Sequence, residues 1–323
     1  NAQSGVSDAL VESAFPIDGA QLADVVATLE RRFGRKLNAT VEVKPELFFL
    51  QGTEFGTWDY TLAANVQAFV PLWRGAELYA SYVERLSNSD NFEPGYVFSA
   101  FRYRNGLKVA AVQQGFWLGQ HVHANVGVGR YNYDAFGVQG EATLFVPGRD
   151  DVIRLRGGAY ERQPGQSRSQ SVPASLSYRY VHSPNTWVEA GLQQYSDGTR
   201  GPSVVLTRWF GDVGVNVFYR KGGVAQYAGL ELSIPLTPRQ GMAPGWVQVG
   251  GTPQFNQFVR TRIVDSNTSV NYVIPTSARD MSLDYNAELH HLNRGRTSQS
   301  YYISQLPRMR EAFYLYARKY LPQ

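Results

Sequence analysis

Apolar and polar residues alternate through this chain in runs longer than an ordinary soluble strand sustains. From 58 to 70, Trp58, Tyr60, Leu62, Ala64, Val66, Ala68 and Val70 fall on one side of an extended backbone, and Asp59, Thr61, Asn65 and Gln67 fall on the other. Side chains of a strand point alternately to opposite faces, so the pattern predicts one greasy face and one wet face. Strands of soluble sheets usually stop after about 5–6 residues, whereas a tilted strand crossing a bilayer needs about 9–11. Length and alternation together predict an all-β fold: a transmembrane, antiparallel, up-and-down β-barrel with a polar lumen.

Composition narrows the alternatives. Hydrophobic residues make up 43% of the 323 positions, yet no run approaches the ~20 apolar residues of a spanning helix. A barrel reconciles the two, because lumen residues dilute its lipid face. Aromatics reach 13%, with 20 Tyr and 6 Trp, which suits belts at two membrane–water interfaces. The absence of cysteine excludes disulfides and thiolate metal sites. A net charge of +4 without a long basic run gives no sign of a nucleic-acid partner.

Three zones are expected. Residues 1–37 predict a periplasmic helical segment whose stripe is Leu22, Val25, Val26, Leu29 and Phe33, with Gly34 as its stop. Residues 38–263 predict the barrel, with about 14 strands and a range of 12–16; 95–104 and 245–263 each read as one strand. Residues 264–323 predict a periplasmic linker in which His290-His291 is solvated, then an amphipathic helix near 305–320. Its stripe includes Leu306, Met309, Phe313 and Tyr320, and Pro307 suits its first turn. The flanking helices serve as plug, lid or docking surface.

If the apolar set meets lipid, its alternates line the lumen. That assigns Gln139, Glu141, Arg154, Arg156, Arg162, Arg179, Glu189, Arg220 and Glu231 to the interior, with His121 and His123 two apart on one strand. An arginine facing lipid near the midplane costs about 2–4 kcal/mol. The arginines read in two ways: as a path holding sugar hydroxyls and acidic substituents, or as bracing pairs with the interior carboxylates. Two histidines without a third ligand read as polar lumen residues, so no metal or cofactor is expected. No nucleophile elbow, His-Glu-x-x-His, phosphate loop or dinucleotide motif occurs, so no catalytic residue is named and the chain does not read as an enzyme.

Late in the meander come Arg208-Trp209-Phe210-Gly211-Asp212, then Tyr219-Arg220-Lys221-Gly222-Gly223, then Leu232-Ser233-Ile234-Pro235-Leu236-Thr237-Pro238-Arg239-Gln240-Gly241-Met242. These resemble the YjbH family of outer-membrane proteins encoded with exopolysaccharide and capsule operons, most specifically over about 201–263. The resemblance implies a Gram-negative outer-membrane barrel serving polysaccharide export as conduit or accessory. It implies lipid, lipopolysaccharide and polysaccharide as partners. Beside them would stand a periplasmic export protein or, since family members are generally longer, a missing N-terminal part of the same protein. A self-plugged anchoring barrel of a secretion complex and an outer-membrane enzyme acting on glycan or lipid are the alternatives.

Overall fold

The computed structural model describes residues 39–53, 55–161, 172–196, 198–223, 225–237, 246–263, 285–312 and 314. The expected helix within 1–37, Arg162, Phe313 and Tyr320 lie outside them. Fourteen strands form one sheet: β1 Ala39–Thr53, β2 Gly56–Trp73, β3 Ala76–Asn88, β4 Gly106–Leu118, β5 Val122–Tyr131, β6 Ala135–Phe145, β7 Val152–Tyr160, β8 Ala174–Ser183, β9 Thr186–Gln194, β10 Arg200–Phe210, β11 Val213–Gly222, β12 Ala225–Ile234, β13 Val247–Gly251 and β14 Phe255–Arg262. β1 to β12 pair in sequence order, each antiparallel to the next.

The count of 14 arises through two compensating differences from the sequence expectation. Residues 95–104 are not a strand. Pro94-Gly95 and the Asn- and Asp-rich run before it favour turns, and 3-10 turns form at Asp90–Phe92 and Ser99–Phe101. Residues 245–263 are two strands rather than one. Pro253 lacks the N–H that would continue the ladder, and the chain changes partner there. β13 runs parallel to β1, whereas β14 runs antiparallel to β12, which makes the sheet mixed.

That change of partner bends the sheet. β13 and β14 stand at opposite ends of the strand order, yet only residues 252–254 separate them. Four Cα steps span at most about 15 Å. The two edges are therefore neighbours in space, and no ladder joins them among the described residues.

The two faces invert the usual distribution. Val66, Val126, Leu144, Leu155, Leu176 and Leu230 are exposed on the outer face. Asn65, Gln113, Asn125, Gln139, Thr143 and Ser203 are buried on the inner one. Within β2 the alternation runs as the sequence predicts, with Asp59, Thr61, Asn65 and Gln67 buried while Trp58 and Val66 are exposed. A small apolar cluster lies inside, formed by Phe69, Tyr79, Val109, Ala111 and Tyr131 with Tyr285 and Ala287 from beyond the sheet.

Two short helices follow, α1 Ala287–His291 and α2 Gln299–Ala312. Among the described residues no helix is long and apolar enough to cross a membrane. α2 begins before the expected helix, so Pro307 falls inside it rather than in its first turn. Leu306 and Met309 are exposed rather than packed on this chain.

Candidate functional site

The inner face gathers its charges by register. Across β6 and β7, Glu141 stands opposite Arg156. Arg154 stands opposite Ser177 across β7 and β8, and Arg179 opposite Glu189 across β8 and β9. Opposite charges placed directly across a ladder attract, and Arg179 and Glu189 meet there. Arg179 donates from Nε and Nη2 to Glu189 at 2.9 and 2.7 Å. The Ser177 hydroxyl donates to the same carboxylate at 2.6 Å. Arg154 lies 3.3 Å from Glu189 and 3.7 Å from Glu141. Only 5% of Arg154 and 4% of Arg179 is exposed, and the Arg179 guanidinium sits 5.1 Å from the Trp187 ring centre.

A carboxylate from outside the sheet completes the cluster. Glu288 of α1 reaches Arg154 at 2.6 Å and also accepts from Arg179. Asn286 caps this short helix by accepting from the Leu289 N–H. Burial alone would raise the Glu288 carboxyl, but Arg154 and Arg179 hold it below the ordinary carboxylate range. Glycine is required nearby. Gly295 has φ +77°, and a Cβ there would collide with the Glu288 carboxylate and the Arg179 guanidinium.

Further contacts seat the same segment on the inner face. The Tyr285 hydroxyl donates to Glu77 of β3 and lies 2.8 Å from Nε2 of His291. The Tyr285 N–H donates to Gln139 of β6 at 3.4 Å. Burial and the Glu77 carboxylate push the Tyr285 hydroxyl well above its usual range. His290 and His291 are not solvated, contrary to the sequence expectation. His290 packs 4.6 Å from Phe69 and 4.9 Å from Tyr285, and burial pushes it down to about 3 and His291 down to about 4. At the rim, Asp212 in the β10–β11 turn meets Arg308 at 2.8 Å and Arg294 and Arg296 at 3.4 Å. Arg308 chiefly holds that carboxyl below its ordinary range.

The predicted interior residues separate into groups. Arg154, Arg179, Glu141 and Glu189 come together. Arg156 lies among them with its Nε unpartnered and, among the described residues, no ion pair within 4 Å. Gln139 donates to Tyr160 at 2.6 Å. Glu231 accepts from Asn216 at 2.7 Å, and Arg220 stacks 4.3 Å from the Phe218 ring centre, both on β11 and β12 away from the cluster. His123 is buried with its ring 5.4 Å from that of His291. His121 departs from the expectation, because the strand starts at Val122 and leaves it exposed in the preceding turn. Glu288 and the Asp212 clasp were not foreseen. Alternation marks positions within strands and carries no signal for a five-residue helix that docks from outside the sheet.

No family model matches the chain. Over 68 residues it is 57% identical to ATP synthase subunit delta of Methylibium petroleiphilum, a stretch covering 21% of this chain and 37% of that protein. The same-named subunits of a Polaromonas species and Leptothrix cholodnii are 54% and 52% identical over stretches of equal length. The chain thus spans little more than a third of the length of these curated relatives. A 68-residue likeness leaves most of the 39–262 sheet outside it.

Proposed function

We propose that this chain is a transmembrane β-barrel of a Gram-negative outer membrane that serves polysaccharide export, closed in this conformation by its own C-terminal segment. The inverted sheet carries the reading. Leaving a Leu or Val side chain in water forgoes about 1.5–3 kcal/mol of burial, and the outer face presents Leu144, Leu155, Leu176 and Leu230 among many others. An extended apolar face of this kind marks a surface that meets membrane or partner, and hydrocarbon suits a whole sheet face that also has polar residues behind it. The near approach of the two edges supports a closed wall. Transmembrane barrels carry short turns on the periplasmic side, and Arg74-Gly75, Pro184-Asn185 and Gly211-Asp212 all lie on the rim where β1 begins. That rim is then periplasmic, and the segment 285–312 caps it.

Polysaccharide as the cargo, with lipopolysaccharide and a periplasmic export protein as neighbours, rests on the YjbH-like motifs at 208–242. A second reading, the anchoring barrel that conducts nothing, draws support from the interior ion pairs, since such pairs fill a lumen. The likeness to ATP synthase subunit delta involves 21% of the chain and gives the sheet no function.

The experiment is expression of the full chain in a Gram-negative host, followed by membrane fractionation and unheated against heated gel migration. Recovery in the outer membrane with heat-dependent migration is expected. Recovery as a soluble periplasmic protein sinks the membrane reading. Loss of surface polysaccharide on deletion in the native host then separates export from a role unrelated to glycan.

A further inference from the structure

We propose that the cluster of Arg154, Arg156 and Arg179 is a binding site for carboxylate groups of an acidic glycan, and that Glu288 occupies it as a tethered stand-in. The proposal rests on the polysaccharide reading above and names the chemistry of the polymer.

The sheet supplies three guanidiniums here, from β7 and β8, against the two carboxylates of Glu141 and Glu189. The third carboxylate comes from α1, which belongs to no strand. One Glu288 oxygen lies 2.6 Å from Arg154, and the other accepts from Arg179. Each oxygen therefore has its own guanidinium, and paired guanidinium donors are the arrangement that selects a carboxylate. The receptor is built before Glu288 arrives. Arg179 is anchored twice by Glu189 and lies over Trp187, while Arg154 also reaches Glu189 and Glu141. Beside them Arg156 has a buried, unpartnered Nε and, among the described residues, no ion pair within 4 Å, which leaves a cation for a neighbouring acidic group. Ser175, buried on the same face, offers a hydroxyl to a sugar ring.

The stand-in is held weakly by its own backbone. An isolated helix of five residues has no independent stability, so α1 stays docked through its side chains. When Glu288 withdraws, three guanidiniums face two carboxylates and the site takes up an anion. The polymer's acidic groups and Glu288 then compete for the same two arginines, which couples cargo arrival to displacement of the cap.

The test uses purified full chain in detergent and reads binding by isothermal titration calorimetry with tetragalacturonate, with maltotetraose as a neutral probe of equal length. Glu288→Gln removes the competing charge, and Glu288→Asp retains it but draws it back by one methylene. At least one of the two variants is expected to bind tetragalacturonate tenfold or more tighter than the parent, with maltotetraose unchanged. Adding Arg179→Gln to that variant is expected to abolish the gain. Equal response to acidic and neutral probes, no gain in either variant, or a gain that survives Arg179→Gln overturns the proposal. Failure of the membrane reading would appear in fractionation instead, a measurement that does not involve Glu288.

Discussion

Arg179 donates to Glu288 across 109 residues of sequence, joining the middle of the sheet to the segment docked on its inner face. The same guanidinium serves Glu189 on the adjacent strand. One side chain therefore braces the sheet and holds the docked segment, and the two duties separate by mutation.

Arg179→Met should destabilise strongly. It leaves two buried carboxylates short of a partner, and breaking such a pair costs about 3–5 kcal/mol. Arg154 still faces both carboxylates, which places the loss toward the lower end. Glu288→Gln should cost less, about 1.5–3 kcal/mol, the value of a charged hydrogen bond, because both arginines keep Glu189. Urea unfolding of the two variants, read by tryptophan fluorescence, checks the order. A larger loss for Glu288→Gln would contradict the shared role of Arg179.

The outer face makes a prediction that distinguishes lipid from water. Leu155 and Leu176 are 55% and 54% exposed. On a soluble surface, Leu→Arg at such positions changes stability by no more than about 0.5 kcal/mol. In a bilayer the same change costs about 2–4 kcal/mol near the midplane. Leu155→Arg and Leu176→Arg should therefore block assembly in lipid vesicles, while Leu155→Ala folds. Equal folding of the Arg and Ala variants argues for a soluble sheet. Gln139 and Ser177 are poor controls for tolerated arginines, since both already hold interior hydrogen bonds.

The sheet was legible in the sequence because alternation is a local signal. Asp59, Thr61, Asn65 and Gln67 declare their face without reference to any other strand. The same signal misleads at 95–104, where Tyr96, Phe98, Phe101 and Tyr103 imitate a strand pattern in a loop. There Phe98 instead packs against Phe92 and Phe55. The break at Pro253 was visible as a residue but not as a change of partner, because the new neighbour of β13 lies at the start of the chain. The cap was not legible. Glu288, His290 and His291 read as polar linker, and polarity implies solvent only when the surroundings are apolar. An interior lined by Arg154, Arg179 and Glu77 accepts polar residues.

The geometry at Gly295 predicts a selective release of the cap. A side chain there meets both an unfavourable left-handed backbone and the Glu288–Arg179 contact. The backbone alone costs a non-glycine residue about 1–2 kcal/mol. Gly295→Ala should leave the strands folded and expose residue 287, which is 1% exposed in the docked state. The chain has no native cysteine, so Ala287→Cys labelling reads the change directly. Unchanged protection in the Gly295→Ala background would show that Gly295 does not hold the cap in place.

Docking of the cap should weaken as pH falls. Burial pushes His290 down to about 3 and His291 down to about 4, whereas a released histidine titrates near 6.5. The released state therefore binds more protons between those limits, so docking is strongest above about 6.5 and is lost progressively toward 4. The groups facing His290 are Lys44, Phe69, Tyr285 and His291, and those facing His291 are His123 and Tyr285. None is a carboxylate in direct contact that would stabilise a protonated ring, so the direction is not offset locally. Glu288 acts with the same sign at lower pH, since the arginines favour its charged form and protonation removes that attraction. At pH 5 each histidine weakens docking by up to about 2 kcal/mol. Labelling of Ala287→Cys, normalised at each pH to the rate in urea, should rise sharply from pH 7.5 to pH 5. Replacing both histidines with Asn should flatten that rise, and a flat profile in the parent would exclude them as the cap's proton-sensitive groups.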